Sequence, residues 1–148
     1  MRRLLVLLWA FAACQGMPTR SPDAVDPQRY EVAQDPAGRA AFEHARAALA
    51  RDDFAGALPE LRTAVDRCPD LVRAHLAYQD TARRIGGADQ QAMLDYYRAL
   101  PERNSPVPAY CRARLAETSY AQGTALRAIL AQDSSFAWAH LSLARVNR

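Results

Sequence analysis

The stretch from Asp53-Phe54-Ala55-Gly56-Ala57-Leu58 through Ala64-Val65-Asp66-Arg67-Cys68-Pro69-Asp70 constrains this chain more than any other. It reads as a turn, an apolar-periodic helix and a proline stop. Leu71-Val72-Arg73-Ala74-His75-Leu76 then opens a new helix at once. Sixty-five residues later, Phe136-Ala137-Trp138-Ala139-His140-Leu141 nearly repeats that opening. A unit recurring at about half that spacing marks stacked helix pairs, an architecture that presents surface and rarely does chemistry.

Composition points the same way. Half of the 148 residues are apolar, Ala is frequent, and Val and Ile are few. Ala is the strongest helix former, so the expectation is a single all-α domain. All 19 basic residues are Arg, against 16 acids. Arg2 and Arg3 precede the leader's expected cleavage point, so the remaining chain carries 17 Arg and 16 acids, about +1. That balance argues against a phosphate-tracking nucleic-acid surface.

Met1-Arg2-Arg3 followed by the ten apolar residues Leu4 to Ala13 has the form of a secretory signal. The run is too short to span a bilayer, which takes roughly 20 helical residues. It ends in Phe11-Ala12-Ala13-Cys14, which resembles the bacterial lipobox, with Phe where Leu is usual. The resemblance implies lipidation of Cys14 and, with Gln15 next, an outer-membrane lipoprotein facing the periplasm. Ordinary cleavage nearby would instead leave a soluble periplasmic protein. Residues 1–13 are thus read as signal peptide and 14–34, with Pro18, Pro22 and Pro27, as a flexible tether. Residues 35–148 are read as the folded domain.

The first helix starts at Asp35-Pro36, an N-cap followed by a proline suited to the first turn. Phe42, Ala45, Ala48 and Leu49 form its stripe. The second runs from Phe54 to Arg67, with Ala57, Leu58, Leu61, Ala64 and Val65 on one face. A third and a fourth helix meet at Gly86-Gly87, and the fourth stops at Pro101. Tyr110, Leu115, Ala116 and Tyr120-Ala121-Gln122-Gly123 are read as one further helix, ahead of a short one over 124–132. Ser134-Ser135 caps a last helix ending near Val146.

The pair over 36–69 resembles the tetratricopeptide repeat, a 34-residue helix–turn–helix. Ala45, Ala57, Leu61, Ala64 and Pro69 fall at signature positions, whereas Ala41 and His44 stand where a large aromatic and a Leu are usual. The resemblance implies a short right-handed α-solenoid of antiparallel helix pairs, about three units plus a capping helix. It also implies a groove lined by the first helix of each unit. Transferred to this chain, the groove positions are Arg39, Phe42 and Arg46 from the first unit, then Arg73, Leu76, Asp80, Arg83 and Arg84 from the second. Tyr110, Glu117 and Tyr120 follow from the third, and Trp138, Leu141 and Arg145 from the cap. Arginines around aromatic anchors suit a protein or peptide segment carrying carboxylates. The plainer reading is that these arginines solvate an exposed helix face.

The residues offer no catalytic constellation. His44, His75 and His140 lack metal-ligand spacing, so no metal or cofactor is expected. His75 and His140 occupy equivalent repeat positions where the family has an aromatic, which implies imidazoles in the core. Cys68 and Cys111 invite a disulfide in an exported chain, but a whole unit separates them, which argues against a bond. The expectation is a non-catalytic, membrane-tethered binding adaptor of the bacterial envelope. A self-associating structural element, meeting through Phe136 and Trp138 at an open end, is the alternative.

Overall fold

The computed structural model describes residues 30–147. They form seven helices: α1 (Pro36–Leu49), α2 (Phe54–Arg67), α3 (Val72–Ile85), α4 (Gly87–Ala99), α5 (Val107–Ala113), α6 (Ser119–Gln132) and α7 (Ala137–Val146). There is no strand among the described residues, and the protein is all-α. Helices pack chiefly on their neighbours in sequence, and α3 also touches α5. Cys14 and the signal segment lie outside the described residues, as does most of the 14–34 tether.

Caps define the first pair. Asp35 accepts the Gly38 N–H and Asp53 the Gly56 N–H, each at 2.8 Å, satisfying donors that a helix start leaves free. Between these caps, Ala41, Ala45 and Ala48 of α1 and Ala57, Leu61, Ala64 and Val65 of α2 are buried. Small side chains let the two helices approach closely. At Gly38 the start of α1 lies so close to the end of α2 that an added Cβ would come within 2.5 Å of the Cys68 Sγ.

Gly86 turns α3 into α4 with a φ of 78°, in the left-handed region that glycine tolerates. Tyr78, Tyr96 and Tyr97 then meet between these helices, with the Tyr78 and Tyr96 rings edge-on at 5.9 Å and Tyr96 and Tyr97 at 5.0 Å. Such edge-to-face aromatic pairs add to the stabilisation from buried area alone.

The third pair departs from the sequence expectation. α5 stops at Ala113, and the Leu115 and Ala116 N–H groups bond three residues back, to Arg112 and Ala113. Thr118 then caps a new helix by accepting the Ala121 N–H at 3.1 Å. Tyr120-Ala121-Gln122-Gly123 therefore opens α6 rather than closing a preceding helix. α6 is a full 14 residues, not a truncated one. Ser134 and Ser135 do not cap α7 either. Phe136 takes that place without a side-chain hydrogen bond, while Asp133 accepts the Ser135 N–H at 3.0 Å.

Residues 30–34 pack on the helices. Tyr30 is 4% exposed and its ring meets that of Phe136 edge-on at 5.2 Å.

Candidate functional site

Arg73, Leu76, Asp80 and Arg84 recur at three- and four-residue intervals, which puts them on one face of α3. The two ends of that face differ. At its start, Arg73 Nε lies 2.8 Å from Glu31 Oε2. About 16 Å further along, three helical turns on, Arg84 sits at the other end. There Asp80, Arg83 and Arg84 join Leu49, Phe54, Ala77 and Thr81 around a cavity of about 590 Å³. Phe54 is placed by the Asp53 cap, and the Arg84 guanidinium lies 4.3 Å above its ring centroid.

A polar network fixes the rim. Arg114 donates from Nη1 to Gln79 Oε1 at 2.8 Å and from Nη2 to Asp80 Oδ1 at 3.1 Å. Gln79, wholly buried, donates to the Cys111 carbonyl at 3.0 Å, and Arg83 donates to the Arg114 carbonyl at 2.9 Å. Arg114 neutralises Asp80, so Arg83 and Arg84 set the charge of the cavity mouth. An apolar floor beneath two guanidinium groups can hold an apolar side chain while binding a nearby carboxylate.

The other groove positions implied by the family resemblance are scattered. Arg39 donates to the Ala33 carbonyl at 3.2 Å, Phe42 is half-buried, and exposed Arg46 pairs with Glu43 at 3.1 Å. Tyr110 is not a groove residue: it is 2% exposed, stacked edge-on against Phe136 at 5.4 Å, with its hydroxyl 2.9 Å from Ser142 Oγ. Tyr120, at the start of α6, is 83% exposed and stands apart from α3's cavity. Trp138 is half-buried on α7, where Leu141 and Arg145 are exposed. Phe136 is covered by Tyr30 and Tyr110, and so is closed to the end-on contact expected of it.

Leu49, Phe54, Ala77 and Arg114 complete the site and were not among the site residues expected from the sequence. A signal for them exists: an aromatic directly after the Asp53 turn, and an amide, Gln79, in line with Val72, His75 and Ala82 on the buried side of α3. A second cavity, about 460 Å³, lies between α5 and α6 and is lined mostly by Ala, including Ala109, Ala113, Ala121 and Ala125.

The titratable core groups are held neutral. His75 lies between Pro69 O at 3.0 Å from Nε2 and the Tyr97 hydroxyl at 2.9 Å from Nδ1. The carbonyl can only accept, so Nε2 carries the proton and Nδ1 accepts from Tyr97. Burial lowers the His75 pKa to about 4, which removes it from titration near neutrality. Burial pushes the Cys111 thiol up to about 12. Cys68 and Cys111 are both free and buried. Among the described residues, no three His, Cys, Asp or Glu side chains are grouped to hold a metal ion, and no helix is long and apolar enough to cross a membrane.

Comparison with known proteins gives no matching family model, no matching curated protein and no matching solved structure.

Proposed function

We propose that this chain is a non-catalytic protein-binding adaptor, built as a short tetratricopeptide-like α-solenoid and tethered to the bacterial envelope through lipidated Cys14. The observation that carries the binding reading is the cavity on α3, with Phe54 and Leu49 below and Arg83 and Arg84 at its mouth. Its shape and charge fit an extended segment with an apolar residue beside a carboxylate. The envelope placement rests on the leader residues, and several acyl chains on one cysteine would anchor the protein where a single chain would not.

A photo-crosslinking amino acid at Ala77, on the cavity floor, tests this in cells. The reading expects a discrete crosslinked protein that a crosslinker at Glu60, outside the cavity, does not give. Identical products from both positions would refute it.

One observation favours a second reading. Leu141, 47% exposed, and half-buried Trp138 form an apolar face on α7 that a second copy can cover. Light scattering across a concentration series separates the two, since a constant monomer rules out self-association.

A further inference from the structure

Residues 30–34 form a strap without a helix of its own, and it is held along its length. Tyr30 is buried with its ring against Phe136, Glu31 pairs with Arg73, and the buried Ala33 gives its carbonyl to Arg39. The chain therefore enters the fold at a fixed point, beside Phe136 and immediately before α7. Only residues 15–29 separate Tyr30 from Cys14, a span of at most about 55 Å when fully extended. The exposed side of α7 is unlike that of the earlier helices. Trp138, Leu141 and Arg145, spaced by three and four residues, share one face, on which Leu141 is exposed and Trp138 half-buried. α1 to α4 each carry at least one acid, whereas α6 and α7 carry none, and the flanking acids Glu117 and Asp133 stand outside both. An added Cβ at Gly123 of α6 would lie 3.6 Å from both Arg127 Nη1 and Val146 Cγ1, which puts the Arg127 guanidinium beside the end of α7. Arg127 and Arg145 are exposed and form no ion pair among the described residues.

We infer that the Trp138–Leu141–Arg145 face of α7 rests on an anionic lipid surface, the same bilayer that holds Cys14. The side chains match the layers of a membrane boundary. A tryptophan sits at the headgroup level, a leucine reaches the acyl chains, and arginines lie against phosphates. Charge favours lipid over a second copy of the chain. In a two-fold dimer this face would meet itself, bringing Arg145 and Arg127 against their own copies with no acid on either helix between them. The face is small and binds weakly on its own, but the strap delivers it to the bilayer. A tethered contact is intramolecular, with an effective concentration on the order of millimolar. Docking of α7 turns a tether into a mount that holds the domain in one orientation. The inference rests on the reading of Cys14 as a membrane anchor, and it adds a second, non-covalent contact with the same membrane.

The test uses the full chain with Trp9→Phe, which leaves Trp138 the sole tryptophan whether or not the leader is removed. It is reconstituted into phosphatidylethanolamine–phosphatidylglycerol vesicles with and without bromine on the acyl chains, a quencher confined to the bilayer. Flotation reads attachment, and Trp138 emission reads the face. The chain should float, and brominated lipid should quench Trp138. A control chain with Trp9→Phe, Trp138→Phe and Thr63→Trp, whose probe is exposed on α2, should stay bright. Arg145→Ala should lower the ratio of docked to undocked chains about fivefold, and Leu141→Glu should abolish the quenching. A floating chain whose Trp138 is unquenched, or quenched no more than the Thr63→Trp probe, overturns the inference and leaves the anchor standing. A chain that does not float overturns the anchor reading and the inference with it. Dimerisation in detergent that Leu141→Glu abolishes, without quenching by lipid, would make a second copy the occupant and also overturn it.

Discussion

Leu71 and Phe136 hold the same place in two nearly identical openings, each a buried residue just before a helix. Four residues on, His75 and His140 turn Nε2 back to a carbonyl six residues earlier, Pro69 O at 3.0 Å and Ser134 O at 2.8 Å. Beyond that the two regions diverge. α4 folds over the first, Tyr97 meets the second ring nitrogen, and His75 is wholly buried. No described helix covers α7 in this way, and His140 is exposed. The local device is written in a handful of adjacent residues, whereas burial depends on the helix that follows.

Removing both rings should break the symmetry of the pair most clearly. His75→Ala empties a packed site and leaves the Pro69 carbonyl and the Tyr97 hydroxyl without their partner. It should cost about 2–4 kcal/mol in urea denaturation. His140→Ala, at an exposed site, should cost under about 1 kcal/mol. Equal losses would show that the shared local bond, not burial, sets the stability.

The same contrast appears with pH. The unfolded chain protonates His75 near its ordinary 6.5, whereas the folded chain resists until about 4. The unfolded state therefore binds more protons in that window, and stability falls as pH drops from 6.5 towards 4, by about 3 kcal/mol in full. His75→Gln should remove this part of the slope, and His140→Gln should leave it. A parallel decline in all three chains would assign the effect to other groups.

The smallest effect is at the partner hydroxyl. Tyr97→Phe keeps the ring and deletes the donor to Nδ1, for an expected loss of about 1 kcal/mol by thermal or urea denaturation. An unchanged midpoint would mean that the ring alone seats His75.

Much of the first two pairs was legible because adjacent residues encode them: Asp35 as a cap, Asp53 in the first turn, Gly86 in the second, alanines at the crossing. The third pair was misread where a resemblance outweighed a local cue. Tyr120-Ala121-Gln122-Gly123 looked like the end of one helix, while Thr118, an N-cap type, marked the start of another. The site was legible in part. Asp80, Arg83 and Arg84 were implied as groove positions by the family resemblance, but Phe54 and Leu49 join them only through packing of the α1–α2 turn. Tyr110 was placed in the groove because its position matched, and its burial against Phe136 depends on a contact 26 residues away in sequence. The Tyr30 strap had no periodicity to announce it.

The central claim is that Arg83 and Arg84 at the α3 cavity capture a protein segment. The most direct measurement is affinity capture from detergent-solubilised membranes by three full-length chains carrying a C-terminal tag. These are the unaltered chain, one with Arg83→Ala and Arg84→Ala, and one with Arg46→Ala and Arg145→Ala, exposed arginines away from the cavity. The account predicts a specific protein retained by the first and third chains and lost by the second, with all three melting within a few degrees of one another. Equal loss in both double variants, or none in either, would contradict it.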